Sequence, residues 1–133
     1  MPTVTIKTED LTGAALDWAV ADAIDLPKPD QRDADGQWRR WYQPTLINGE
    51  PWGSREPFHP SLNYSQGAPL IERFSMMVDK NFEEFSTADQ PWFAQTYLYW
   101  GIGQTMLIAI CRAVVRSQLG GTVNVPAELV EAA

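Results

Sequence analysis

The two longest runs of apolar residues at helical spacing lie near opposite ends of the chain. The first extends from Glu9 to Ile24 in two adjoining apolar stripes, which predicts a helix with a wide buried face. Thr8 is a favourable N-cap, followed by acids in the first turn. Thr12 as the cap of a helix that begins later is the alternative. The second run predicts a helix from Thr105 to Leu119, ended by a left-handed glycine at Gly120.

Shorter segments with alternating or β-branched residues predict strands. Thr3–Lys7 alternates with period two, and Thr122–Val125 is a second short extended segment. Pro126 then suits the first position of a last helical turn over Ala127–Glu131. Pro69–Asp79 is also apolar enough to predict a strand, although its alternation is imperfect.

The middle of the chain combines turn-forming residues with aromatic residues. Residues 27–69 contain seven of the ten prolines, together with two turn signals, Asp35-Gly36 and Asn48-Gly49. Three elements are expected around them: a strand in Gln37–Gln43, a turn with a helical piece in Asn81–Gln90, and a strand or short helix in Trp92–Trp100. The aromatic rings either pack a loop-rich layer onto the core or line a ligand or partner surface.

Together these elements predict an α+β fold, with two main helices packed against a small antiparallel sheet and long aromatic-rich loops. The length of 133 residues fits a single domain over residues 1–133.

The charge and the composition exclude several classes of function. The net charge of −7 disfavours direct nucleic-acid binding, because tracking phosphates requires a basic face. One cysteine and one histidine exclude a disulfide framework and Cys- or His-rich metal sites. The apolar stretch Met106–Val115 is interrupted by Arg112 and is too short to span a bilayer. We therefore expect a cytoplasmic protein with no membrane partner, cofactor or metal.

No set of residues in the sequence forms a convincing catalytic group. His59 is the only imidazole that could serve as a base, and no Gly-x-Ser-x-Gly elbow presents a serine. Cys111 lies in the middle of an apolar helical segment, which is typical of a small core residue. The acids Asp79, Glu83, Glu84 and Asp89 have no calcium-loop spacing and are expected to form a solvated turn. Catalysis is thus less well supported than binding.

One polar group stands out because it lies on apolar elements. Arg112 is on a largely apolar helix and needs a partner if it is buried, and Glu72 in the predicted strand is the expected one. This pair either ties strand to helix or forms the floor of a pocket in which an aromatic ring stacks on a planar ligand and Arg112 binds an anionic group. The helix N-terminus at Thr105 is a weaker anion site. The predicted ligand-binding residues are Trp52, Asn63, Tyr64, Gln66, Glu72, Thr105 and Arg112.

Three blocks of sequence resemble the NinX-like family of small phage and prophage proteins. They are Lys7–Ala21, Pro60–Arg73 and a third block that begins with Gly103-x-Thr105-x-Leu107-Ile108-Ala109 and ends with Val125-Pro126-x-Glu128-Leu129. The second block departs from the usual family pattern at Leu62, Tyr64 and Ala68. The resemblance implies a phage or prophage accessory protein that works in the cytoplasm of the bacterial host, and it implies no reaction.

The favoured hypothesis is non-enzymatic binding of a small molecule, for example a nucleotide-like one, or of a host protein. The acidic surface favours the host-protein version, because it suits a basic partner. The alternatives are a small enzyme that uses carboxylates such as Glu72 and a structural homo-oligomer, of which a homodimer is the simplest form.

Overall fold

The computed structural model describes residues 2–29, 31–42 and 56–131. Helices and small antiparallel sheets alternate along the chain, which confirms the predicted α+β class. The helices are α1 (Gly13–Ala23), α2 (Tyr64–Gly67), α3 (Pro69–Arg73), α4 (Met106–Leu119) and α5 (Ala127–Glu131). The strands are β1 (Thr3–Lys7), β2 (Trp41–Tyr42), β3 (Glu56–Pro57), β4 (Met77–Lys80), β5 (Trp92–Thr96), β6 (Tyr99–Gly103) and β7 (Thr122–Pro126).

The first long helix begins later than the acids after Thr8 indicate. Residues Thr8–Asp10 form one turn of 3-10 helix, and α1 follows with Thr12 at its N-cap. The reason is that the Thr8 hydroxyl does not cap a helix but donates to the carbonyl of Gly120, at 2.7 Å. The alternative start at Thr12 is therefore confirmed, and a start at Glu9 is wrong. The expected burial is confirmed, because every residue from Ala15 to Ala21 is buried.

The second long helix agrees closely with its prediction. Thr105 caps α4, and its hydroxyl accepts a hydrogen bond from the N–H of Ile108 at 3.2 Å. At the other end Gly120 has a φ of +98°, which favours glycine, although its ψ of −164° differs from that of a left-handed helical residue. Helices α1 and α4 pack on each other, and their buried side chains form the centre of the core.

The described residues form three antiparallel sheets in addition to these helices. Strand β1 pairs with β7, β2 pairs with β3, and β4, β5 and β6 form a sheet in that order. The predicted strands at both ends of the chain and the last helical turn are thus confirmed. Among the described residues, no helix is both long and apolar enough to cross a bilayer.

The predictions for the middle of the chain were less accurate. The strand predicted over Pro69–Asp79 is wrong in its first half, because Pro69 begins α3 and only Met77 starts a strand. Trp92–Trp100 contains β5, the turn and the first two residues of β6, and Asn81–Gln90 forms turns without a helix. From Gln37 to Gln43, only β2 is a strand among the described residues, and both Gln43 and the turn signal Asn48-Gly49 lie outside them.

Strand β6 lies directly against the backbone of α4. A Cβ atom added to Gly101 would lie 2.7 Å from the backbone nitrogen of Ala113 and 2.8 Å from the carbonyl oxygen of Ala109. At Gly103 the added atom would be 2.7 Å from the nitrogen of Ala109. Real Cβ atoms do not approach backbone so closely, so glycine on the strand and alanine on the helix allow this contact.

We expect Gly101→Ala to lower the free energy of unfolding by at least about 2 kcal/mol, because strand and helix must separate to admit the methyl group. Gly121→Ala is the matched control, since no atom lies within 4 Å of its added Cβ, and its effect should stay within about 0.5 kcal/mol. Urea denaturation of both variants measures the difference. Equal stability of the two variants would contradict the close packing.

Candidate functional site

The seven residues predicted to bind a ligand do not converge on one site. Trp52 lies outside the described residues. Asn63 and Tyr64 stand at the start of α2, where the Tyr64 side chain is exposed. Thr105 uses its hydroxyl to cap α4, so the side chain of the weaker anion-site candidate is already engaged by the helix. None of the other described members lines the cavity beside Arg112.

The expected pair of Glu72 and Arg112 is wrong. Glu72 is exposed in the first turn of α3, where the helix dipole favours an acid, and not in a buried strand. Arg112 is buried, with 6% of its surface exposed, and its hydrogen bonds go elsewhere. Its Nε donates to the carbonyl of Leu11 at 3.1 Å, and its Nη1 donates to the carbonyl of Ile102 at 2.8 Å and to the side chain of Gln90. Arg112 thus ties the entry of α1 and strand β6 to α4.

Gln66 is buried, but it supports the chain instead of facing a ligand. Its Oε1 accepts from the backbone N–H of His59 at 2.7 Å. Its Nε2 donates to the side chain of Glu56 and to the carbonyl of Pro57. Gln66 therefore fixes residues 57–59, which form one wall of a large cleft.

That cleft, called the aromatic cleft here, has a volume of about 390 Å³ and is built from four parts of the chain. Helix α1, residues 37–40, residues 57–59 and helix α5 each contribute a wall. Its lining includes both aromatic and charged side chains, which were not predicted from the sequence to lie in one site. The lining residues are Ala14, Asp17, Trp18, Gln37, Trp38, Arg39, Arg40, Pro57, Phe58, His59 and Leu129.

Asp17 is the buried acid of the aromatic cleft. Its side chain accepts a hydrogen bond from the backbone N–H of Ser61 at 2.9 Å, and the residue is only 7% exposed. Burial raises the pKa of Asp17 above its ordinary value, while the Ser61 N–H and the charge of His59 act in the opposite direction. A carboxyl group with a raised pKa in a cleft is a frequent feature of binding and catalytic sites.

Arg40 gives the aromatic cleft a rigid wall. It pairs with Asp22 at 2.7 Å and donates to the carbonyls of Pro27 and Leu26. Its guanidinium also lies 4.7 Å from the centre of the Trp18 ring. These contacts use all three nitrogens of the guanidinium, so Arg40 shapes the cleft and has little capacity left to bind an anion.

Trp38 provides an unused donor at the same cleft. Its indole N–H is buried and has no hydrogen-bond partner among the described residues. Arg32 lies over the ring, 5.0 Å from its centre. Buried N–H groups in native proteins nearly always have a partner, so this N–H is a candidate contact for a bound ligand or water.

This cleft was not predicted from the sequence, although the sequence contains one signal of it. Asp17 stands between Leu16 and Trp18 on a helix that is otherwise apolar over its buried part, and a buried acid in such a helix needs a polar neighbour. A catalytic pair of Cys111 and His59, the single cysteine and the single histidine of the sequence, has no support, because Cys111 is fully buried and burial raises the pKa of its thiol well above the ordinary value. Cys111 is a core residue, as its apolar neighbours predict.

We expect Asp17→Asn to stabilise the protein increasingly, relative to wild type, as the pH rises from the ordinary aspartate pKa of about 4 to the raised pKa of Asp17 in the folded protein. The native state holds the Asp17 proton more tightly than the unfolded chain, so wild-type stability falls as the pH rises through this window, whereas asparagine stays neutral and still accepts from Ser61. Thermal unfolding across the pH range measures this, with Asp89→Asn, an exposed acid, as the control. A constant difference between Asp17→Asn and wild type would contradict the raised pKa.

The comparison with protein families agrees with the blocks quoted from the sequence. Residues 7–118 match the family described as Bacteriophage P22, NinX. No curated protein matches the chain at a significant level. The matched segment includes α1, all of α4 except its last residue, and the described walls of the aromatic cleft except Leu129. Because the match covers most of the sequence, the chain belongs to the NinX family of bacteriophage proteins.

Proposed function

We propose that this phage accessory protein binds a small planar heteroaromatic molecule, similar to a nucleobase or nucleoside, in the aromatic cleft. The observation that carries the proposal is that two residues with unusual polar groups line the same cleft: Asp17, with a buried carboxyl group, and Trp38, with a buried N–H that has no partner among the described residues. A volume of about 390 Å³ lies within the range of small-molecule sites.

The two polar groups are complementary to the edge of a nucleobase. Asp17 accepts hydrogen bonds when ionised, and the Trp38 indole only donates. A nucleobase edge presents ring or exocyclic N–H donors beside nitrogen or oxygen acceptors, so one molecule can serve both groups. A purely apolar ligand would leave the Trp38 N–H unpaired, at a cost of about 1–3 kcal/mol.

The aromatic lining suits a flat ring. Trp18, Trp38 and Phe58 all contribute to the cleft, and aromatic side chains bind bases by stacking. Phe58 itself stacks on Tyr42, with ring centres 5.5 Å apart, and its N–H donates to the carbonyl of Arg40. The wall is therefore held in place before a ligand arrives, which reduces the entropy lost on binding.

The charges favour a ligand without phosphate groups. Arg40 already pairs with Asp22 and donates to two carbonyl groups, and Arg39 pairs with Asp33 at 3.1 Å. Asp17 adds a negative charge when it is ionised, and the whole protein carries −7. A base or nucleoside thus fits the cleft better than a nucleotide does.

Catalysis through Glu72 finds no support in the described geometry. Glu72 is exposed on α3 and lines neither the aromatic cleft nor the cavity beside Arg112. The proposal is therefore binding, which would let the phage protein withhold a small host molecule.

Titration calorimetry with adenosine, guanosine, cytidine and uridine, and with the corresponding monophosphates, tests this function. We expect at least one nucleoside to bind saturably and more tightly than its monophosphate. Trp38→Phe, which keeps a ring but removes the N–H, should weaken binding by about tenfold. Trp92→Phe, outside the cleft, should leave binding unchanged. Absence of binding across the panel, or equal affinity of Trp38→Phe and wild type, would refute the proposal.

A second candidate function is binding of a host protein through the tip of the β5–β6 hairpin. Tyr97 and Leu98 form its two-residue turn and are 82% and 73% exposed. Tyr97 has a φ of +54°, a conformation that costs a residue with a Cβ about 1 kcal/mol. An exposed aromatic and aliphatic pair on a tight turn has the form of an interface anchor.

Affinity purification from the bacterial host, followed by quantitative mass spectrometry, tests the hairpin. We expect Leu98→Ser to lose a specific partner by at least about tenfold, while Leu62→Ser, equally exposed elsewhere, retains it. If the partner is a second copy, sedimentation will instead show a dimer that only Leu98→Ser disrupts, which is the homo-oligomer alternative. An unchanged partner set and sedimentation profile for Leu98→Ser would reject this function.

A further inference from the structure

A second, smaller cavity lies on the side of α4 that faces β6. It has a volume of about 160 Å³, less than half that of the aromatic cleft, so it admits only a compact ligand. We call it the arginine cavity and define it by Glu9, Asp10, Gln90, Trp100, Arg112 and Arg116.

The charges of the arginine cavity are separated between two walls. Arg112 and Arg116 come from successive turns of α4, and Glu9 and Asp10 come from the 3-10 turn before α1. The two walls neutralise each other poorly, because the pair between Arg116 and Glu9 spans 3.9 Å and Glu9 is largely exposed. The cavity therefore has a positive side and a negative side.

Arg112 lacks a counter-ion on its own side. Its hydrogen bonds within the described residues go to two backbone carbonyl groups and one side-chain amide oxygen, all of which are neutral. Within residues 2–29, 31–42 and 56–131, it forms no salt bridge with a carboxylate at 4 Å or less. Burial lowers the pKa of Arg112, and the charges of Asp10 and Glu9 only partly oppose this effect from beyond salt-bridge distance. A ligand carboxylate in the cavity would supply the direct anionic contact that the described residues do not make.

The neighbouring groups limit what else the ligand carries. The indole of Trp100 lies under the Arg116 guanidinium, 5.0 Å from ring centre to Cζ, and supplies an apolar surface. Glu9 and Asp10 attract a cation and repel a second negative charge. The side-chain oxygen of Gln90 accepts a hydrogen bond from Arg112, so the side-chain NH₂ group of Gln90 is the part that can donate to a ligand.

We infer that the arginine cavity binds a free α-amino acid with a small side chain, its carboxylate against Arg112 and Arg116 and its ammonium group against Glu9 and Asp10. The opposite charges of such a ligand match the two walls, and its size fits the volume. This inference is independent of the nucleoside proposal, because none of the defining residues lines the aromatic cleft.

Amide NMR spectra of the full-length protein, titrated with glycine, L-alanine and L-serine, test the inference. We expect saturable shifts at Gln90, Gly101 and Ile102, with a dissociation constant below about 5 mM. Acetate and ethylamine, which each carry only one of the two charges, should bind at least about tenfold more weakly than L-alanine, and inorganic phosphate should not compete.

Substitutions at Arg116 and Glu9, which are more exposed than Arg112, test the cavity without changing the buried arginine. Arg116→Gln and Glu9→Gln should each weaken L-alanine binding by about threefold to fivefold, and Arg73→Gln, which removes an exposed arginine elsewhere, should not change it. Absence of saturable shifts up to about 20 mM would overturn the inference. Acetate binding as tightly as L-alanine, or shifts that map to the aromatic cleft, would overturn it as well.

Discussion

The direct contact between β6 and α4 is the constraint on which the rest of the structure depends. Gly101 and Gly103 face Ala109 and Ala113 with no side chain between the two backbones. This short distance lets the Arg112 guanidinium reach the carbonyl of Ile102 while it also binds the carbonyl of Leu11. The sheet of β4, β5 and β6, the helix α4 and the entry of α1 are thereby held in one arrangement.

Both candidate sites are marked by a charged residue inside an otherwise apolar helix. Asp17 interrupts the buried part of α1, and Arg112 interrupts that of α4. Each is supported mainly by neutral groups, a backbone N–H for Asp17 and backbone carbonyls for Arg112. Hydrophobic residues of the same size would be less costly to bury, so stability alone does not account for these two charges.

The accuracy of the sequence predictions depended on how local the determining interactions are. Helix α4, strand β1 and the last helical turn were predicted correctly because periodicity and caps within a few residues specify them. The segment after Pro69 was not, because its apolar residues fit a strand and a helix about equally well, and the proline resolved the choice in favour of a helix. Propensities summed over such a segment predict its secondary structure poorly when a single residue determines whether it forms a helix or a strand.

The sites were harder to predict because they join distant segments. Asp17, Trp38 and His59 come together only after three separate parts of the chain have packed, and their spacing in the sequence does not predict that they line one cleft. The partners of Arg112 are mostly backbone carbonyls, which every residue has and which leave no sequence signature. An acidic residue such as Glu72 can be identified in a sequence as a partner for an arginine, whereas the sequence does not indicate which backbone carbonyl groups will serve instead.

The pairing of β1 with β7 has a consequence for the folding of the protein during its synthesis on the ribosome. Thr5 bonds to Asn124 across 119 positions, and the Thr8 hydroxyl bonds to Gly120 across 112. At a synthesis rate of about 5–20 residues per second, β1 waits roughly 6–24 s on the ribosome before its partner strand is made. During that time its backbone edge is unpaired and open to proteases and to neighbouring chains. The sheet is thus a late step of folding, and an interrupted translation product lacks the strand that would close it.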